Sequence, residues 1–178
     1  MTPLDHYRRI VADATPSQIE QACQWYADAE LLAHDLIRIF AERGISASLE
    51  QCASVISSFS PRQRWSRNVV QAIEFANGGK PAGLANNLRM AELSLTNGFS
   101  ALRGLKTNAF ARAIAGDDDA VTIDVWMISA AGLDAKKGVN KTQYRELSDA
   151  VRTVADEYVM TPRVMQALIW ICYRGGAA

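Results

Sequence analysis

An all-α fold of about eight helices is predicted by three features of this 178-residue chain. Apolar residues recur at helical spacing along most of it, with no convincing period-two alternation. Helix-start signatures recur as well: a Ser, Thr or Asn ahead of an apolar-periodic segment, often with Pro or Gln just behind it. Glycines then close several of these segments. There is no internal repeat and no low-complexity tract, so residues 1–178 read as one all-α domain, with N-terminal helices over 1–47 and a helical core over 48–175.

Taken in order, residues 1–14 read as a short helix with Leu4, Tyr7, Ile10 and Val11 at helical spacing. Thr15-Pro16, with Gln18 completing a capping box, starts a long helix. Its apolar face is Ile19, Ala22, Cys23, Tyr26, Ala33, Ile37 and Phe40, and Gly44 ends it. Trp25 and His34 lie in the same helix; a lone His there is ordinarily solvated or a packing residue. Ser48 caps Leu49–Phe59, whose apolar and small residues make it the buried centre of the core. Ser60-Pro61-Arg62-Gln63 is a further cap-and-box arrangement, predicting a helix from Pro61 to Ala76 with Val69, Val70, Ile73 and Phe75 inward. Asn77-Gly78-Gly79-Lys80-Pro81 is the strongest break in the chain. A helix over 84–96 follows, with Leu84, Leu88, Ala91 and Leu95 inward, then a stop at Asn97-Gly98 and a short turn over 99–103. Beyond Gly116, a helix is expected from Val125 to Ala131 and another from Asn140 or Thr142, with Tyr144, Leu147, Val151, Val154 and Tyr158 on one face. Thr161-Pro162 starts the last helix, in which Val164, Met165, Leu168, Ile169 and Cys172 are core-like, while Trp170 and Tyr173 fall between those positions.

Composition excludes several classes. No apolar run approaches the roughly 20 residues that a membrane helix needs, and MTPLDHYRRIV lacks a signal-peptide layout. A cytoplasmic location, bacterial or in a phage-infected host, is therefore expected, with no membrane partner. Cys23, Cys52 and Cys172 show no metal-ligand spacing and read as buried reduced thiols. No metal and no cofactor is expected. Net charge is zero, but it is unevenly spread. Residues 58–112 hold eight basic side chains (Arg62, Arg64, Arg67, Lys80, Arg89, Arg103, Lys106, Arg112) and two acidic ones, a net of +6. The flanks 1–57 and 113–178 carry nets of −4 and −2. A basic middle between acidic flanks suits a localised phosphate-contacting face; charge fluctuation on solvated helices is the plainer reading.

The chemistry concentrates in residues 102–126, LRGLKTNAFARAIAGDDDAVTIDVW. A Gly turn at Gly104 leads to Lys106-Thr107 opening a helix, Gly116 stops that helix, and Asp124 sits inside an apolar run. Asp124 is either the N-cap of the next helix or a functional carboxylate, and the two roles are compatible. Lys106 lies eighteen residues earlier and is a nucleophile, a phosphate contact or a solvated helix residue. Asp117-Asp118-Asp119 could suit a hard cation, but three carboxylates after a Gly stop are more often a solvated elbow.

Leu102-x-Gly104-x-Lys106-Thr107, followed by a small-residue helix and Val121-Thr122-Ile123-Asp124, resembles the helix–hairpin–helix DNA glycosylase superfamily. In that family a hairpin reading roughly Leu-Pro-Gly-Val-Gly-x-Lys-Thr-Ala grips DNA backbone, and a Val-Asp-Thr-His segment carries the essential aspartate. The Lys-to-Asp spacing of its lyase-type members is the one found here. The resemblance implies a glycosylase-like fold with its hairpin at 102–107, duplex DNA as partner, Asp124 as catalytic aspartate and Lys106 as Schiff-base lysine. It also implies base-excision chemistry: a flipped base whose N-glycosidic bond is hydrolysed, with AP-lyase strand cleavage if Lys106 attacks the sugar. The hairpin here is two residues shorter and lacks the second glycine, and Val125-Trp126 replace Thr-His. The iron–sulfur cysteine cluster of some members is absent. Asn87-Leu88-Arg89-Met90-Ala91 resembles the family's Asn-x-x-Lys-Ala segment, and Ser57, Ser58 and Ser60 with Trp65 fall where the family lines its base pocket.

The resulting expectation is a DNA-binding glycosylase-like protein. Arg62, Arg64, Arg67, Arg89, Arg103, Gly104, Lys106 and Thr107 would contact DNA, and Ser58, Ser60, Trp65 and Trp126 would line the base pocket. Trp65 as a plain core residue is the competing reading. At the level of function, a non-catalytic DNA-binding or DNA-modification relative and a helical protein-interaction module stay open.

Overall fold

The computed structural model describes residues 1–176. Those residues contain nine α-helices, two short 3₁₀ turns and no strand. They form two compact units: residues 1–27 with those from 117 onward, and residues 28–116.

The first unit holds α1 (Pro3–Ala12), the opening of α2 (Pro16–Glu42), α7 (Val125–Ala130), α8 (Lys141–Glu157) and α9 (Pro162–Arg174). α1 packs on α7, α8 and α9, and α9 also packs on α7 and α8. Tyr7, Val11, Met127, Leu147, Val151, Met165, Leu168 and Ile169 fill the core. Burying an aliphatic side chain of that size contributes about 1.5–3 kcal/mol. Helix starts are set locally. Asn140 and Gln143 form a reciprocal capping box on α8, Thr15 and Gln18 do so on α2, and Thr161 caps α9 ahead of Pro162. The acidic elbow is tied down: Arg163 pairs with Asp118 at 2.9 Å, and Arg152 donates to the Asp119 carbonyl at 3.2 Å.

The second unit holds the remainder of α2, α3 (Leu49–Ser58), α4 (Trp65–Ala76), α5 (Ala85–Asn97), a 3₁₀ turn (Gly98–Ala101) and α6 (Leu105–Ile114). α3 is its centre, packed by α4, α5, α6 and the 3₁₀ turn. Cys52 to Phe59 is buried without interruption. Ser48 and Gln51 form the box that starts α3.

Several sequence expectations are corrected here. α4 begins at Trp65, not Pro61, because Arg62 takes a left-handed φ of +60° and turns the chain. Its inward face is met in part: Phe75 packs on Phe40 and Phe59 and Val69 is half-buried, but Val70 and Ile73 are exposed, while Asn68 and Gln71 are buried. The Gln71 amide donates to the Ala82 carbonyl at 2.6 Å, so a contact from the following loop decides which face turns inward. Leu84 is exposed as the N-cap of α5, which buries Ala91 as expected but also Asn87 and Ser94. Tyr158 is the exposed C-cap of α8 rather than a core residue. Of the three thiols only Cys52 is buried; Cys23 is exposed, because it sits beside the inward Ala22 rather than on that face. Among the described residues no helix is long and apolar enough to cross a membrane.

Candidate functional site

Asp124 is the N-cap of α7. Its Oδ1 accepts the backbone N–H groups of Trp126 and Met127, each at 2.9 Å. Its Oδ2 accepts the indole Nε1–H of Trp170 at 3.2 Å. The carboxylate is half-buried and still meets solvent.

Three tyrosines brace the segment that carries it, two through its backbone and one through side chains. From α8, Tyr144 donates to the Val121 carbonyl at 3.0 Å and accepts the Ile123 N–H at 3.1 Å. From α2, Tyr26 donates to Gln166 Oε1 at 2.6 Å and lies 3.4 Å from the Thr122 hydroxyl. From α1, Tyr7 donates to the Met127 carbonyl at 3.0 Å. Burial raises the pKa of all three, Tyr144 to about 12, and the negative charge of Asp124 adds to the rise in each. They are therefore neutral at physiological pH, with their protons available to these acceptors. A segment held from three helices keeps one carboxylate in one place, as pre-organised chemistry requires.

Aromatic rings line the surroundings. Trp126 is 44 % exposed. The Arg174 guanidinium carbon lies 4.2 Å from the Trp170 ring centre and 5.2 Å from that of Trp126. Trp25 stands 6.1 Å from Trp170 and meets Tyr26 edge-on at 4.8 Å. Neither Trp170 nor Arg174 was singled out from the sequence, yet a signal was there. Gln166, Trp170 and Arg174 are spaced four apart, which puts all three on one stripe of α9. The first holds Tyr26, the second holds Asp124, and the third covers the indoles.

The other sequence-singled residues fall in the second unit. α5, the 3₁₀ turn and α6 make a helix–turn–helix held by its own side chains and by α3. Glu50 Oε1 accepts the Phe99 N–H at 2.9 Å beneath Gly98, whose φ is +55°. The Asn108 side chain donates to the carbonyls of Phe99 and Leu102 at 3.0 and 3.1 Å. Arg112 in turn donates to Asn108 at 3.0 Å and stacks over the Phe99 ring. Gly104 is the N-cap of α6, and no side chain caps it. The Thr107 hydroxyl donates back to the Gly104 carbonyl at 3.1 Å, and Ser57 donates to the Thr107 carbonyl at 2.7 Å. Lys106 is half-buried; Arg62, Arg64, Arg67, Arg89 and Arg103 are exposed. Arg67 donates to the Ala82 carbonyl at 3.2 Å.

Of the expected pocket residues, Ser58 is buried, donating to the Ser54 carbonyl at 2.8 Å with the Ser94 hydroxyl 3.0 Å away. Trp65 is half-buried, its ring edge-on to Phe110 at 6.2 Å. The Ser60 hydroxyl, Asn68 Oδ1 and Gln71 Oε1 are buried and have no hydrogen-bond partner. Arg62, Arg64, Arg67, Arg89, Arg103, Lys106, Ser58, Ser60 and Trp65 thus belong to the second unit, and Asp124 and Trp126 to the first.

Charge follows the same division. Residues 1–27 and 117–178 carry nine basic and twelve acidic side chains, a net of −3; residues 28–116 carry ten and seven, a net of +3. Neither the curated proteins nor the solved structures contain a match to the chain. A family model described as a family of unknown function, DUF7178, matches residues 4–177. That match spans nearly the whole chain, and the protein belongs to the DUF7178 family.

Proposed function

We propose that the protein binds duplex DNA and acts, with Asp124, on the N-glycosidic bond of an extruded base. The observation that carries this reading is the fixed carboxylate: three N–H donors on Asp124, three tyrosines bracing its segment and an exposed indole beside it. Breaking the bond between base and sugar leaves positive charge on the sugar. A carboxylate held nearby stabilises that charge or takes a proton from the attacking water. The water oxygen then joins the sugar carbon, and the base leaves with the bonding electron pair and a proton. Trp126 offers a flat face on which a base taken out of its stack can rest.

Phosphate contacts are the part of the second unit. The start of α6 has a glycine N-cap without a side-chain cap, and Arg103 and Lys106 stand beside it. Helix N-termini of this kind favour anions through backbone N–H groups and the helix dipole. The net of +3 on this unit supports the same assignment.

A second reading, a DNA-binding relative without catalysis, is favoured by one observation. The three donors on Asp124 are also what a purely structural cap would take. Base release from duplexes bearing modified bases, compared between the wild type and Asp124→Asn, separates the two. The enzyme reading expects release to fall by about 10²-fold or more; unchanged release from every duplex sinks it. Borohydride trapping on an abasic duplex tests Lys106 by itself. An adduct that vanishes in Lys106→Ala makes that amine the nucleophile on the sugar carbon. Salt-independent or undetectable DNA association removes both readings and leaves a helical interaction module.

A further inference from the structure

The outward face of α7 runs against the rule for a surface helix, whose solvent side is ordinarily polar. Met127, Ile128 and Ala130 fill the core side. Outward stand Val125, 56 % exposed, and Trp126, with half-buried Ser129 between them and the end of the helix. Past that end Gly132 takes a left-handed φ of +78°, and Leu133 donates its N–H back to the Ile128 carbonyl at 3.2 Å. The turn brings Leu133 to the surface, 39 % exposed, beside the same short helix. Three large apolar side chains thus meet water on or next to a helix of six residues.

The charge beside this face is the reverse of that around it. Residues 133–145 hold Lys136, Lys137, Lys141 and Arg145 against Asp134 alone, a net of +3. The rest of the first unit carries five basic and eleven acidic side chains, a net of −6. The 3₁₀ turn Ala135–Lys137 packs on α7, and Lys141 opens α8 just beyond it. All four cations are exposed, and among the described residues none of them pairs with a carboxylate. On the acidic remainder, by contrast, Arg8, Arg152 and Arg163 pair with Glu157, Asp149 and Asp118. Asp134 is turned to its own loop, where its Oδ1 accepts the Lys136 N–H at 3.0 Å.

We infer that the outer face of α7, with the basic turn that follows it, is a docking surface for an acidic segment of a partner protein that carries apolar anchors. The aliphatic residues decide between classes of partner. Val125 and Leu133 gain by packing on hydrocarbon, whereas nucleobases stack on rings, of which this face offers Trp126 alone. Cations without a carboxylate inside the chain complement carboxylates from outside, and they steer an acidic segment to this stretch of an otherwise acidic unit. The inference goes beyond the glycosidic reading and shares only Trp126 with it, so its test rests on the lysines and Leu133.

The experiment titrates the full-length protein into a fluorescein-labelled, blocked peptide of three Leu-Glu-Glu-Leu repeats, read by anisotropy, with amide NMR to locate the peptide. Binding should saturate, shift the signals of residues 125–141, and weaken at least about tenfold in Lys136→Glu/Lys137→Glu. Leu133→Ser should weaken it as well, and so should raising the salt from about 50 to 300 mM. Peptides of Leu-Lys-Lys-Leu or Ser-Glu-Glu-Ser repeats should bind at least about tenfold less tightly. Lys136→Gln/Lys137→Gln gives the same reading should the reversed charges unsettle the fold. No saturable binding to the wild type overturns the inference. So does binding that leaves residues 125–141 unmoved, that ignores both lysine variants, or that Leu-Lys-Lys-Leu matches. Tighter binding of oligothymidylate to the same residues would make the occupant a nucleic acid, and shifts there with protein concentration alone would make it a second copy; either result also overturns the inference. The peptide carries neither phosphate nor base, so failure of the glycosidic reading leaves this outcome untouched.

Discussion

The indole N–H of Trp170 donates to Oδ2 of Asp124 over 3.2 Å, joining the middle of the last helix to the start of α7 across 46 positions of sequence. The bond does two things at once. It fixes the one oxygen of Asp124 that the helix cap leaves unused, and it orients the ring on which Arg174 stacks. Carboxylate, indole and guanidinium therefore answer to one another. Trp170→Phe, which keeps an aromatic side chain but replaces the indole and removes its N–H donor, should weaken base release if Asp124 is catalytic.

Cap and catalyst can be told apart at Asp124 itself. Asn is as good an N-cap as Asp, but its amide nitrogen cannot accept the Trp170 N–H, so Asp124→Asn should keep the cap and lose one hydrogen bond, a cost of about 1 kcal/mol. Asp124→Ala removes the cap as well and should cost about 1 kcal/mol more. Midpoints for the two variants, measured beside base release, divide the roles. A loss of release in Asp124→Asn far larger than its loss of stability belongs to chemistry.

The three tyrosines predict an alkaline limit to stability. Tyr144 has its pKa raised from 10.0 to about 12, chiefly by burial, and Tyr7 and Tyr26 are raised as well. In the unfolded chain these phenols lose their protons first as pH rises. Between the ordinary value and the raised one the unfolded state binds fewer protons than the folded state, so stability falls with pH there. Their contribution is complete below about pH 10 and is lost as pH climbs through the raised values. Unfolding midpoints from pH 8 to 12 should show this decline, and a shallower one in Tyr144→Phe. That variant should also be less stable at neutral pH by about 1–3 kcal/mol, because it strands the Val121 carbonyl and the Ile123 N–H. A Tyr144→Phe profile parallel to the wild type would remove Tyr144 from this account.

Helix starts were legible in the sequence because a cap is a local device. Thr15 with Gln18, Ser48 with Gln51, Asn140 with Gln143 and Thr161 before Pro162 each act over three residues or fewer. The buried centre at α3 was legible too, since a helix apolar or small on every side has nowhere else to go. The orientation of α4 was not legible. Its apolar Val70 and Ile73 satisfy helical periodicity equally well facing out, and the loop carbonyl of Ala82 turns Gln71 in. Asp124 was found by its oddity in an apolar run. Trp170 was missed because its importance lies in a partner 46 positions away, which no local pattern carries.

Gly98 should tolerate no side chain. Its φ is +55°, and a Cβ there would come within 2.3 Å of Glu50 Oε1, the atom that accepts the Phe99 N–H. Gly98→Ala is expected to cost on the order of 1–3 kcal/mol from backbone strain alone, read as a shift of the urea midpoint. Removing the obstructing carboxylate in Glu50→Ala/Gly98→Ala should not restore the wild-type value, because the Phe99 N–H then loses its acceptor. Full recovery in the double variant would assign the whole cost to the clash.

The thiols should react in a fixed order. Cys23 is exposed, Cys172 is half-buried with its pKa raised by burial, and Cys52 is buried with its pKa pushed up to about 12. The thiolate is the reactive form, so reach and ionisation act in the same direction. Iodoacetamide at pH 8, followed by mass spectrometry, should label Cys23 first, Cys172 slowly and Cys52 only as the fold opens. Early labelling of Cys52 would mean that the centre of α3 opens far more readily than its burial implies.

Phosphate contacts at the start of α6 carry a quantitative signature. Each contact releases condensed counterions, so log K falls linearly with log salt, with a slope near −0.9 per phosphate neutralised on duplex DNA. Arg103→Ala and Lys106→Ala should each reduce that slope by about 1 and weaken binding evenly across unrelated sequences. His34→Ala, on the exposed side of α2, should leave the slope as it is. Fluorescence anisotropy on a labelled duplex between about 50 and 200 mM salt reads all three variants, a range over which several phosphate contacts produce an easily measured loss. If neither Arg103→Ala nor Lys106→Ala moves the slope while the wild type retains one, the phosphates are held elsewhere. Arg62, Arg64 and Arg89, exposed on the same unit, would then be the next residues to change.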